Sequence, residues 1–284
     1  MKNANILIAI GKETPLGDLA KTLETIRSVP ARAAVLIISE MPAVPYYAVG
    51  VSPYGMPDIP PQWQEELQAN KAALKEKADE VENLLQQHDV SGDVATIAGE
   101  LSMVADIVAR RAMLCDFALV SDDMRNHDTL FRQVVYGVLF QSPIGVLLNH
   151  HNAQAIQTPK RIFVAWNTHL HTARAVHQAL PILRLADEVI IGTVDPVMTE
   201  LREGEDPGVD VAKWLTHRGC NVVVQQYPSG GQGVGDCILD RSKEIGADLI
   251  VMGAYGHSRT REAVFGGTTR TLIEQTGQAV FLAH

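Results

Sequence analysis

The sequence predicts an α/β protein built of two tandem doubly wound domains, each with a mainly parallel five-stranded sheet. Three observations predict it. Short β-branched runs alternate with longer amphipathic stretches along the chain. The strand-like runs read as nearly unbroken Val, Ile and Leu, the pattern of strands covered by helices on both faces. The chain also repeats itself: "FGGTTRTLIEQTGQAVFL" (Phe265–Leu282) lies without a gap over "FRQVVYGVLFQSPIGVLL" (Phe131–Leu148), at an offset of 134 residues. Strand–helix alternation gives right-handed crossovers and a parallel layer. A period this long is a duplicated domain, not a solenoid unit.

The starts of the copies agree as well. "RIFVAWN" (Arg161–Asn167) lies over "NILIAIG" (Asn5–Gly11), and "EVIIGTVD" (Glu188–Asp195) over "AVLIISEM" (Ala34–Met41). Domains are therefore expected over 1–151 and 159–284. Between them "HHNAQAIQTP" (His150–Pro159) has no periodicity and reads as a linker.

In the first copy, Ile6 to Ile10 is a buried strand, not a signal peptide: a charged turn follows and no small-residue cleavage site appears. Gln62–Gln87 is the clearest helix, with Trp63, Leu67, Leu74, Val81 and Leu85 on one face and Pro60-Pro61 before it. "DFALV" (Asp116–Val120) is a strand, "SDDMRNHDTL" (Ser121–Leu130) a loop, and Ile144–Leu148 the last strand. In the second copy, strands are expected over Arg161–Ala165, Glu188–Val194, Asn221–Gln226, Asp248–Met252 and Gln278–Ala283. Helices are expected over His171–Leu185, Val209–Arg218, Gly233–Ile245 and Thr268–Thr276.

Composition narrows the function. The 284 residues are 46% apolar, enough for a sizeable core in each half, and 20% charged. A net charge of -9 and the lack of a basic stripe argue against nucleic acid as a partner. No apolar run is long enough for a membrane span. Cys115, Cys220 and Cys237 share no CxxC spacing, which fits a reducing cytoplasm.

The stretch "DLIVMGAYGHSRTREAVFGGTT" (Asp248–Thr269) carries the strongest functional signal. Its strand ends at Gly253, Gly256 follows, and after nine residues Gly266 and Gly267 open a helix at Thr268. In open parallel sheets, ligands bind beyond the carboxyl ends of the strands, where strand order reverses. Glycine lets a ligand approach bare backbone, and the first amides of a helix bind anions. Two sets of bare amides can hold a polyphosphate; tight turning alone is the other reading of these glycines. The first copy separates the two. From Asp116 to Phe131 it is two residues shorter, has no glycine, carries Asp122, Asp123 and Asp128, and puts Arg132 and Gln133 where Gly266 and Gly267 stand. A turn alone would need glycines in both copies, so a ligand role is expected in the second copy and no phosphate site in the first.

The spacing Gly253-x2-Gly256-x9-Gly266 resembles the nucleotide motif G-2x-G-9x-G-(S/T) of the universal stress protein family, and both halves look like its domain. The resemblance implies a Rossmann-like, adenine nucleotide α-hydrolase-like fold, members that bind ATP or no nucleotide, pairing through the last strand, and stress-linked roles. Carried over, Gly253, Gly256 and Gly266 would face the phosphates. Gly267 takes the Ser/Thr position, leaving Thr268 or Thr269 to supply a hydroxyl. Asn167, after Ala165 and Trp166, stands where the family has Asp near ribose or adenine. Val194 matches the residue whose backbone reads adenine, and Met252 ends the strand before the motif. A bulky residue at Gly253 or Gly256 is then expected to fill the phosphate space with little loss of fold.

Other signals weigh less. "PSGGQGVGD" (Pro228–Asp236) lacks the Asp and Ser of a pyrophosphatase loop and follows the third strand; it reads as a loop entering a helix beside the ligand. His169 and His171, with His150 and His151, lack Cys or carboxylate at ligand spacing and read as a solvated helix start. The long Met41–Pro61 loop, rich in Pro, Tyr and Gly, reads either as a cover for a cavity or a partner surface in the first copy, or as disorder. No nucleophile–base pair appears, so ATP (or AMP or ADP) is expected to act as a switch ligand, with Mg2+ riding on its phosphates and any hydrolysis slow. A nucleotide-free adaptor is the competing class. The terminal strands of the two copies are expected to pair within the chain as an internal pseudo-dimer, and a homodimer of such chains stays open.

Overall fold

The computed structural model of the chain describes residues 3–27, 31–41, 60–150, 154–199, 205–255 and 265–284. The Met41–Pro61 loop falls almost wholly outside them, as do Gly256 and the eight residues after it.

In the first half, β1 (Ala4–Gly11), β2 (Ala31–Glu40), β3 (Gly92–Gly99), β4 (Phe117–Val120) and β5 (Gly145–Leu148) alternate with α1 (Leu16–Arg27), α2 (Pro61–Gln87), α3 (Leu101–Ala112) and α4 (Asp128–Gln141). After a short α5 (Gln154–Gln157), the second half repeats the scheme. Its strands are β6 (Arg161–Ala165), β7 (Glu188–Val194), β8 (Val222–Tyr227), β9 (Leu249–Gly253) and β10 (Val280–Ala283). Its helices are α6 (Leu170–Leu183), α7 (Val209–Thr216), α8 (Val234–Glu244) and α9 (Gly267–Glu274).

The two five-stranded sheets form one sheet of ten, in the order β3-β2-β1-β4-β5-β10-β9-β6-β7-β8. Every pairing within a half is parallel. At the joint β10 runs antiparallel to β5, with Val280 opposite Leu148 and Phe281 opposite Leu147. Parallel strands bury both faces, and alternate residues go to opposite sides. Leu7, Ala9, Val146, Phe163 and Val280 pack under α3, α4, α8 and α9. Ile6, Ile8, Leu147, Ile162 and Phe281 pack under α1, α2, α6 and α7. Gly145 leaves space at the joint, since a Cβ there would lie 2.5 Å from the Phe281 ring and 2.8 Å from the Leu282 carbonyl.

Polar bonds pin the joint further. The Arg125 guanidinium donates to the Ile273 carbonyl at 2.7 Å and to Asn149 Oδ1 at 2.8 Å, and lies over the Phe131 ring. Buried Asn149 donates in turn to the carbonyls of Gln275 and Gln278. Arg132 donates to Glu274 across the joint at 2.8 Å. Arg270 and Arg132 together hold the Glu274 carboxyl below its ordinary range.

Two segments differ from the sequence reading. The linker holds α5, because Ala155 and Ile156 are buried against the second core face. The Ser121–Leu130 loop is a 3-10 helix over Asp122–His127 running into α4. Met124 buries itself there, Asp123 accepts from Thr14 Oγ1 at 2.8 Å, and Ser121 Oγ donates to the same carboxylate.

Candidate functional site

At the carboxyl end of the second half's strands lies a cavity of about 320 Å3. Its position is the crevice between β6 and β9, where strand order reverses, which is where open α/β sheets bind ligands. Ala165, Trp166 and Asn167 line it at the end of β6, and Val194 at the end of β7. Met252 and Gly253 line it at the end of β9, and Gly266, Gly267 and Thr268 at the start of α9. Of the residues nominated from sequence, only Gly256 lies outside the described residues. Three helices start on the cavity: α6, α8 (through Val234) and α9.

The start of α9 is open. Gly266 is its N-cap residue and provides no side-chain cap. The amides of Gly267, Thr268 and Thr269 are the unpaired donors every helix start leaves, and the helix dipole adds partial positive charge there. The Gly266 amide itself is taken, donating to the Tyr255 carbonyl at 2.9 Å. Thr269 Oγ1 is taken too: it accepts from the Tyr255 amide at 2.8 Å and is buried. These two bonds tie Tyr255 to the start of α9. They leave Thr268 as the threonine with a hydroxyl to offer a ligand. A Cβ at Gly267 would meet nothing within 4 Å, so this position has room for a side chain.

Gly253 is different. A Cβ there would lie 2.4 Å from the Thr172 amide nitrogen and 2.6 Å from the His171 carbonyl carbon. The first turn of α6 rests on bare backbone at Gly253, so a bulky residue there disturbs the fold and not just the ligand space. This corrects the sequence expectation for that position. Asn167 is also engaged, its Oδ1 accepting from Thr172 Oγ1.

Sequence reasoning missed part of the wall: Thr172, Gly192, Ile238 and Tyr255 line the cavity, as do His169 and His171, read from sequence as a solvated helix start, and Thr269, the alternative hydroxyl donor. His171 stacks on His284, ring centroids 4.1 Å apart and planes 18° apart. His284 Nδ1 lies 3.0 Å from the Ala254 carbonyl, while His171 Nδ1 is buried without a hydrogen-bond partner. Burial, then the neighbouring His284, Arg174 and His169, push the His171 imidazole below its ordinary pKa. Among the described residues, no group of three or more His, Cys, Asp or Glu is arranged to hold a metal.

The first half has a cavity of about 300 Å3 at the matching place, with other chemistry. Lys12, Glu13, Glu40, Asp123 and His127 line it beside Ile38 and Leu130. Arg132 and Gln133 lie inside α4, past its start at Asp128, so they present no helix start. A helix start on this cavity is that of α4, with His127 and Leu130 in the wall beside the carboxylates of Glu13, Glu40 and Asp123.

Residues 159–284 match the family model of the universal stress protein family. Among solved structures, the chain is similar to a universal stress protein from Archaeoglobus fulgidus DSM 4304 at 17% identity, over 99% of this chain and 96% of that one, with a TM-score of 0.67. It is similar to a candidate universal stress protein from Pseudomonas aeruginosa UCBPP-PA14 at 16% identity, over 99% and 93%, with a TM-score of 0.53. A protein of unknown function from Pseudomonas aeruginosa PAO1 aligns over 99% and 92% at 14% identity and a TM-score of 0.51. These likenesses span both halves and speak to the fold. No curated protein matches in sequence. Residues 159–284 are therefore a universal stress protein domain, and the first half repeats the same fold.

Proposed function

We propose that the second half binds one adenine nucleotide, ATP or its di- or monophosphate, as a regulatory switch in a cytoplasmic stress response. The carrying observation is the open start of α9: unpaired amides of Gly267–Thr269 face a cavity at the switch point of the sheet. A cavity of about 320 Å3 is at the small end of the range for nucleotide-sized ligands. The apolar wall of Ala165, Val194 and Met252 suits a base, and the amides suit phosphates. Mg2+ would ride on the phosphates, completing its shell with water. No nucleophile–base pair lines the cavity among the described residues, so turnover of the nucleotide is expected to be slow.

A nucleotide-free adaptor is the second reading. What favours it is that Gly253 and Asn167 already have uses inside the fold, under α6 and on Thr172. Calorimetric titration with ATP, ADP and AMP separates the two. A Gly267→Glu variant sharpens the test. A carboxylate in the first turn of α9 favours the helix by roughly 0.3–1 kcal/mol. The same charge beside the phosphates costs about 2 kcal/mol of binding, roughly a 30-fold loss. Binding that is unchanged in this variant places the nucleotide elsewhere, and no heat with the wild-type protein favours the adaptor.

A further inference from the structure

Among the described residues that line the cavity of the second half there is no Lys, Arg, Asp or Glu, and the ionisable groups are His169, His171 and Tyr255. A bound polyphosphate would therefore meet helix starts and backbone amides, and no fixed cation from the described wall. His171 is the side chain placed to change this. It sits in the first turn of α6 and lines the cavity, and its buried Nδ1 has no hydrogen-bond partner among the described residues.

Burial, and then the groups around His171, disfavour its protonated form in the free protein. Arg174 in α6 adds positive charge, His169 just before the helix acts in the same direction, and the helix start adds partial positive charge. From the end of β10, His284 stacks at 4.1 Å, and two charged imidazoles would repel at that distance. Arg174 is drawn to the same place, donating to the His284 carbonyl at 3.3 Å. From the loop after β9, Tyr255 meets the ring edge-on, centroids 6.0 Å apart. No described carboxylate lines the cavity to balance a charge on His171. An anion entering the cavity reverses the balance, because an opposite charge nearby favours the protonated ring.

We propose that His171 is a charge-compensating residue of this site, taking one proton from solvent as a phosphate-bearing nucleotide enters. The inference rests on the nucleotide reading above and adds a condition to it: affinity rises as pH falls. His284 is a positioning residue, holding the His171 ring against the wall while its own Nδ1 faces the Ala254 carbonyl at 3.0 Å.

The experiment is calorimetric titration of the full chain with ADP at pH 6, 7 and 8, in paired buffers of different ionisation enthalpy, which counts protons bound. The nucleotide's own phosphate titrates in this range, so the signal is the difference between wild type and His171→Gln. The wild type is expected to take up more protons than the variant across this range. Its affinity advantage over the variant is expected to widen by about tenfold from pH 8 to pH 6. Equal uptake and parallel affinity profiles would overturn the proposal and leave nucleotide binding standing. No binding by the wild type at any of the three pH values would remove both. If the variant does not fold, the His171 ring resonance of the wild type is followed by NMR against pH. Its midpoint should move up when ADP is added, and an unmoved midpoint overturns the proposal.

Discussion

Gly253→Ala should destabilise the fold even though the residue lies in the family's nucleotide motif. The added methyl would stand 2.4 Å from the Thr172 nitrogen, 2.6 Å from the His171 carbonyl carbon and 2.8 Å from Thr172 Cα. All three are backbone atoms of the first turn of α6, so no side-chain rotation relieves the contact. The turn must shift by about an ångström to reach ordinary contact distance. Overpacking of this kind costs about 1–3 kcal/mol, and the backbone contact puts this case in the upper half of that range. For a chain of this size that lowers the melting temperature by roughly 4–10 °C. Gly267→Ala is the control. It has no neighbour within 4 Å and sits at the start of a helix, so it should be neutral or stabilise by up to about 1 kcal/mol. Thermal and urea denaturation of both variants, without nucleotide, measures the difference. If Gly253→Ala melts with the wild type, α6 does not rest on this glycine, and its bareness would be explained by ligand alone.

Other outcomes follow from the joint and from the histidine stack. Arg125→Met leaves the Ile273 carbonyl and Asn149 Oδ1 without their donor, and should cost about 2–3 kcal/mol in urea denaturation. A protease site inserted between His150 and Pro159 and then cut should leave two fragments that co-elute in gel filtration, because β5 and β10 are buried against each other. Separate elution would mean that the pairing does not hold without the chain connection. In the free protein the lowered pKa of His171 means that the folded state binds fewer protons than the unfolded chain. That contribution to stability is complete above the ordinary imidazole value of about 6.5, and is lost as pH falls below it. His171→Gln should flatten the decline in melting temperature between pH 6.5 and 5.5.

The fold class was legible because its signals are local. Arg161–Ala165 and Glu188–Val194 are apolar runs with clear ends, and β6 and β7 coincide with them. What was not legible depends on contacts far apart in sequence. Asp122–His127 reads as a polar loop, since Asp, Asn and His carry no apolar period. Its helical turn is fixed by Met124 in the core and by Asp123 reaching Thr14, 109 residues away. The Gly253–Gly266 spacing pointed to bare backbone at the right strand end. It does not show that α6 rests against the first of these glycines. His171 looked like a solvated helix start because its stacking partner, His284, comes from the far end of the second half.

The central claim is that phosphates lie on the open start of α9 and nowhere on the first half. Backbone amide NMR during titration with ATP tests it most directly. The Gly267, Thr268 and Thr269 amides should shift strongly and saturate at one nucleotide per chain, while Ser121 to Asp128 stay in place. Saturating shifts at Ser121–Asp128, or none at Gly267–Thr269, would contradict the account.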